Sequence, residues 1–146
     1  MNNKYSLPKD GGLIAESAPR DIIHRYEKIR TNVYENEYLG VQYVADAIVK
    51  AIRNHEETHS SNGVYDEMQP FVLGLTTGRT PLGLYNELVR RHKAGQISFR
   101  NVAVFSLDEF YPIKSSEQQS RNYRIHEEFL NHIDILPENV PANEFL

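Results

Sequence analysis

Two short apolar runs constrain the fold more than any other feature of the chain. Phe71-Val72-Leu73-Gly74-Leu75 and Val102-Ala103-Val104-Phe105-Ser106-Leu107 show no alternation of apolar and polar positions. That is the pattern of strands covered on both faces of a parallel sheet. Pro70 and a Thr/Gly loop bound the first run. Between the two runs, Pro81 to Lys93 carries Leu82, Tyr85, Leu88 and Val89 at helical spacing, and Gly95 is placed to end the helix. Upstream, residues 37 to 57 carry Val41, Val44, Ala45, Ile48, Ala51 and Ile52 as one apolar stripe, broken by His59-Ser60-Ser61-Asn62-Gly63. An earlier helix is predicted from Ser17 as cap and Pro19 in the first turn through Ile22, Ile23, Tyr26, Ile29 and Val33, after a loose arm over residues 1 to 16. Downstream, a polar loop covers Asp108 to Ser120 and a last helix Arg121 to His132. Helix, strand, helix, strand, helix in this order predicts an α/β fold, a Rossmann-like parallel sheet with helices on both faces.

Length and composition narrow the function classes. The 146 residues suit about one domain, and 20 acidic against 16 basic side chains give a net charge of −4. A nucleic-acid footprint normally needs a clustered basic stripe, which this balance argues against. The absence of cysteine removes disulfides, thiol nucleophiles and thiolate metal sites together. No apolar run approaches the roughly 20 residues of a membrane span, and the first 30 residues lack a signal-peptide core. The expectation is a cytoplasmic protein that binds neither nucleic acid nor membrane.

Three stretches could carry chemistry. Gly74-Leu75-Thr76-Thr77-Gly78-Arg79-Thr80-Pro81 lies between a predicted strand and a predicted helix. Ligands of parallel sheets sit beyond the carboxyl ends of the strands, where a helix start offers unpaired N–H groups to an anion. Gly78 lets backbone approach a ligand, Thr77 and Thr80 add hydroxyls, and Arg79 adds charge, so the loop reads as phosphate-binding or as an ordinary capped turn. Asp108 and Glu109 follow the second strand at the same end. If the strands are parallel neighbours, these carboxylates open onto the same crevice, and one partly removed from water can shuttle a proton between carbons alpha to a carbonyl. The competing reading has Asp108 capping the next turn and Glu109 solvated.

His55-Glu56-Glu57-Thr58-His59 matches H-E-x-x-H, a zinc-hydrolase spacing, but sits where the apolar stripe runs out, so a charged helix terminus is the stronger reading. His92, His126 and His132 fall in predicted helices and read as surface or interhelical contacts. Arg121 and Arg124 of the last helix could reach an anion, yet arginine on a helix more often faces solvent.

With these residues in view, the stretch Phe71 to Asp108 with its flanks, including His92-Lys93-Ala94-Gly95-Gln96-Ile97-Ser98-Phe99, resembles the glucosamine-6-phosphate deaminase (isomerase) family. The similarity continues through His126 to Ile135 and Pro137-Glu138-Asn139, and covers about Tyr38 to Val140. It implies conversion of glucosamine 6-phosphate to fructose 6-phosphate and ammonia in amino-sugar catabolism, with no metal or organic cofactor and with self-association into homo-oligomers. It further implies that Thr77, Gly78, Arg79 and Thr80 hold the sugar phosphate, that Asp108 is the base moving a proton between carbons 2 and 1, and that Glu109 supports it. Arg79 stands where the family commonly has Gly or Ser, and Lys114 to Ser120 replaces its H-P-E-S stretch, keeping only Ser120.

The family's ring-opening histidine, in an Asp-Gly-His-type segment, would lie beyond Leu146. The resemblance implies that residues 1–32 are an extension that compact members lack, and, with that histidine downstream, residues 33–146 are expected to be the N-terminal portion of the enzyme domain, with negligible activity as a separate chain. The alternatives are a 6-phosphogluconolactonase-like hydrolase, a sugar-phosphate sensor without turnover, and a degenerate enzyme. Asp108-Glu109-Phe110 is nearer the deaminase DEY form than the lactonase DER form.

Overall fold

The computed structural model describes residues 5–6, 14–15, 31–60 and 69–140. The helix expected from Ser17 lies outside the described residues as far as residue 30, and residues 31–33 are not helical. Residues 61–63 of the expected helix break also lie outside. The chain forms two compact units, residues 1–44 and 45–146.

In the first unit, strands β1 (Tyr5–Ser6) and β2 (Ile14–Ala15) pair antiparallel. Helix α1 (Glu37–Ser60) starts in this unit and continues into the second. Asn36 caps it: its side-chain Oδ1 accepts the N–H of Leu39 at 3.0 Å, which satisfies one of the orphan donors of the first turn. The rings of Tyr34 and Tyr43 meet at 5.2 Å.

The second unit holds the core. Along α1, Ala45, Val49 and Ile52 recur at i, i+4 and i+7 and are buried, with Ile48 packed beside them. Val44, expected in this stripe, is exposed, and Val49 takes its place. Strand β3 (Phe71–Leu75), helix α2 (Arg79–Lys93) and strand β4 (Val102–Ser106) follow, close to the predicted bounds. β3 and β4 are parallel neighbours, in a register pairing Phe71 with Val102 and Leu75 with Ser106. Gly95, at φ 70°, turns the chain out of α2, and its N–H reaches the carbonyl of His92 at 2.9 Å. Helix α3 (Arg121–Glu128) is shorter than the predicted 121–132, because Leu130–His132 tightens into a 3-10 turn.

One face of the strand pair, with Leu75, Val102 and Val104, joins Tyr85, Leu88, Phe99, Ile125 and Phe129 in a single core. Tyr85 stacks on Phe129 at 5.0 Å, and Phe99 meets Phe129 edge-on at 5.5 Å. On the other face, Val72 and Phe105 are exposed, as is Leu107 just beyond β4. The apolar side chains that suggested cover on both faces are thus present, and the described helices share their core with one of those faces. An ionic group ties α1 to α2: Arg91, buried beside Glu87, donates to Glu87 at 2.7 Å and to the exposed Asp46.

Candidate active site

The parallel pairing of β3 and β4 places the two loops suspected from the sequence side by side. The ladder continues one step past the strands, the N–H of Leu107 donating to the carbonyl of Leu75 at 2.8 Å. Beyond it, Thr76 is clamped by Tyr85, whose hydroxyl donates to the Thr76 carbonyl at 2.6 Å and accepts the Thr76 N–H at 3.2 Å. Burial pushes the Tyr85 phenol above its ordinary value, so it stays a neutral donor. On the other strand, the Ser106 hydroxyl donates to the carbonyl of Asp108 at 2.7 Å.

Gly78 is the residue that turns strand into helix. Its φ of 120° and ψ of −175° lie where a Cβ is strained, although a Cβ there would meet nothing within 4 Å. The backbone conformation therefore calls for glycine, and open space remains in front of it. Helix α2 begins without a side-chain cap and without an acidic residue in its first turn, which leaves its positive end uncompensated. Arg79 and Thr80 are exposed in that turn and Thr77 is half-buried.

The centre of the arrangement is Arg121, the first residue of α3. Its Nη1 donates to the Thr77 hydroxyl at 2.6 Å, its Nε lies 3.2 Å from Asp108 Oδ2, and its guanidinium sits 4.6 Å over the Phe110 ring. The half-exposed arginine thus touches both loops. Asp108, expected to be partly withdrawn from water, is instead 55% exposed and ion-paired.

Glu109 plays another part than its neighbour. Its carboxylate accepts the N–H of Phe110 and Arg121 at 2.9 Å each and of Asn122 at 3.0 Å, and the Ser120 hydroxyl at 2.8 Å. Ser120, fully buried, in turn accepts the Tyr123 N–H at 3.2 Å. Together they satisfy the orphan donors of α3. Burial alone would raise the Glu109 carboxyl, but these N–H and O–H donors outweigh it and hold the group below its ordinary value. The capping suspected of Asp108 falls to Glu109, and Glu109 is not solvated.

Sequence reasoning set Arg121 aside as a solvent-facing helix residue. The available signal was its position directly after the cap Ser120: a cation in the first turn opposes the helix dipole and calls for a partner. His55 and His59 of the H-E-x-x-H match turn to backbone carbonyls, of Gln69 at 2.7 Å and of His55 itself at 2.8 Å. Among the described residues no group of three or more His, Asp or Glu side chains is placed to hold a metal ion. His92 sits on the Ile97 carbonyl at 3.0 Å and 3.5 Å from Asp134, and His132 on the Glu127 carbonyl at 3.0 Å. No described helix is long and apolar enough to cross a membrane.

No protein-family model matches the chain. A glucosamine-6-phosphate deaminase of Treponema denticola is 50% identical over 72 residues, which are 49% of this chain and 27% of that protein. A glucosamine-6-phosphate isomerase of Candida albicans is 35% identical over 112 residues, 77% of this chain and 40% of its own length. A solved structure of a monomeric glucosamine-6-phosphate deaminase superposes with a TM-score of 0.59 at 28% identity, covering 75% of this chain and 41% of that one. A 6-phosphogluconolactonase structure from Neisseria gonorrhoeae has a TM-score of 0.54 at 21% identity and shares the fold. The chain spans less than half the length of these relatives. Over the matched residues it resembles the glucosamine-6-phosphate deaminase/isomerase family, on an α/β fold.

Proposed function

We propose that residues 33–146 contribute the phosphate loop and the proton-transfer carboxylate of a cytoplasmic glucosamine-6-phosphate deaminase, with residues 1–32 as an extension of that domain. The single observation that supports this reading most is the convergence of Thr77 and Asp108, from the carboxyl ends of adjacent parallel strands, onto one arginine. A sugar phosphate bound by the loop of Thr77, Gly78, Arg79 and Thr80 would meet unpaired N–H groups at the start of α2. Its carbon chain would then run toward Asp108. In the open-chain sugar, Asp108 takes the proton from carbon 2 and returns it to carbon 1. One carboxylate suffices for the carbon-bound proton, because the base is regenerated as the ketimine forms, while the amino group gives up one N–H proton to the carbon-1 oxygen. The imine left at carbon 2 takes up water and releases ammonia. Glu109 holds the start of α3, and therefore Arg121, in place.

Ring opening needs a second acid–base group at the ring oxygen, which the family resemblance puts outside these residues, so this chain by itself is proposed to turn over negligibly. Two measurements test the reading. Isothermal titration is expected to show glucosamine 6-phosphate binding to the chain and unphosphorylated glucosamine not binding. Equal response to both overturns the phosphate loop. Steady ammonia release by the purified chain, abolished by Asp108→Asn, overturns the proposed inactivity while supporting Asp108 as the base.

A further inference from the structure

Arg121 is the cation that reaches both loops, and its present contacts do not use its full capacity. Nη1 is committed to a neutral hydroxyl, that of Thr77. Nε is buried and makes no aligned hydrogen bond, although Asp108 Oδ2 lies at 3.2 Å. Nη2 makes no hydrogen bond to a described residue. A guanidinium presents a planar fork that fits phosphoryl oxygens in pairs, and stacking on Phe110 orients the plane of that fork. Its backbone is fixed by Glu109 and its side chain is half-buried, so the entropy of ordering a long side chain is largely lost already. Arg79, the cation expected from the sequence to serve the phosphate, is exposed and makes no hydrogen bond to a described residue.

We infer that Arg121 is a side-chain cation that binds the phosphoryl group, donating across the gap between Thr77 and Asp108 and exchanging its contact with the carboxylate for the incoming oxyanion. The inference rests on the reading of residues 77–80 as a phosphate loop and adds a binding residue from α3. In the free protein Asp108 and the anion compete for one guanidinium. Ligand binding therefore leaves Asp108 unpaired, which couples phosphate capture to release of the proposed base.

The test titrates the 146-residue chain with inorganic phosphate while NMR follows the backbone amides of residues 77–80 and the Arg121 Nε–H signal. Both sets of signals are expected to shift along one isotherm. Arg121→Gln is expected to weaken phosphate about tenfold or more, Arg121→Lys less, and Arg124→Gln, whose arginine is paired with Glu128 on the same helix, by less than about twofold. Asp108→Asn is expected to tighten phosphate, and in that background Arg121→Gln should still weaken it about tenfold.

Amide shifts at residues 77–80 with a stationary Arg121 Nε–H signal, or affinity unchanged in Arg121→Gln, overturn the inference and leave the phosphate loop standing. Loss of the Arg121→Gln effect in the Asp108→Asn background also overturns it, because the weakening then came from an unmasked carboxylate. Absence of any phosphate-induced shift overturns the loop reading and the inference together. If Arg121→Gln fails to fold, the Nε–H shift of the unaltered chain and the affinity of Arg121→Lys decide.

Discussion

Glu109 holds Arg121 by its backbone: Oε1 accepts the Arg121 N–H at 2.9 Å while the side chain of the same arginine turns to Asp108. Adjacent carboxylates of one loop are thereby given opposite tasks. Glu109 faces inward to four donors and fixes a helix, and Asp108 faces outward to the Arg121 guanidinium and to solvent.

Glu109→Gln retains the shape of the side chain and removes its charge. Charge-assisted bonds to N–H groups would become neutral ones, and the amide cannot accept from all four donors. The expected loss is about 1–3 kcal/mol of unfolding free energy, measured by urea denaturation at neutral pH. An unchanged midpoint would sink the view that this residue is a structural cap.

The pH dependence of stability has a definite sign. Burial would raise the Asp134 carboxyl, yet the Phe99 N–H at 2.6 Å, the Ser98 hydroxyl at 2.7 Å and the His92 ring outweigh it, so it too lies below its ordinary value. Both Glu109 and Asp134 therefore stabilise the fold above their ordinary values of 4.5 and 3.8. That stability is lost as pH falls below these values and through the lowered folded ones. Urea midpoints should decline from about pH 5 downward. Glu109→Gln with Asp134→Asn should flatten the decline; an equal slope in the double variant would refute the assignment.

Gly78→Ala tests backbone conformation alone, since the added Cβ meets no neighbour. Holding alanine at φ 120° should cost about 1–3 kcal/mol, or else the turn relaxes and moves Thr77. Either outcome should appear as a lowered denaturation midpoint or as displaced Thr77 and Arg121 NMR signals. A variant unchanged in both would show that the turn does not need glycine.

Tyr85→Phe removes the hydroxyl that serves both the N–H and the carbonyl of Thr76. The ring stack on Phe129 remains, so the expected cost, about 1–2 kcal/mol, reports the clamp at the end of β3. Hydrogen exchange at the Thr76 amide should accelerate more than global destabilisation requires. Exchange that tracks global stability would argue that the loop holds itself.

The legible parts of the fold were those in which local pattern and tertiary burial agree. β3, α2 and β4 follow from apolar runs, helical spacing and the punctuation of Gly78 and Gly95, and α1 from its stripe. Val44 and Val49 show the limit of periodicity: both fit a broad apolar stripe, and the neighbours across the core decide which is covered. The positions of Thr77 and Asp108 at one end followed from the parallel grammar. The division of labour between Asp108 and Glu109 did not, because two adjacent acids look alike until the returning helix presents its N–H groups to one of them. Arg121 was hidden for the same reason, its partners lying 44 and 13 positions away in sequence.

The strand pair works as a ruler for the site. Its last rung joins Leu75 to Ser106, and Thr77 and Asp108 each lie two residues further on. A one-residue slip of either strand would move these groups apart by about 3.3 Å and turn apolar side chains from one face to the other. Length changes in the connection between α2 and β4 leave the count from the rung untouched. Insertions after Gly95 are therefore expected to spare the spacing of the two loops, whereas a single deletion within Phe71–Leu75 or Val102–Ser106 removes it.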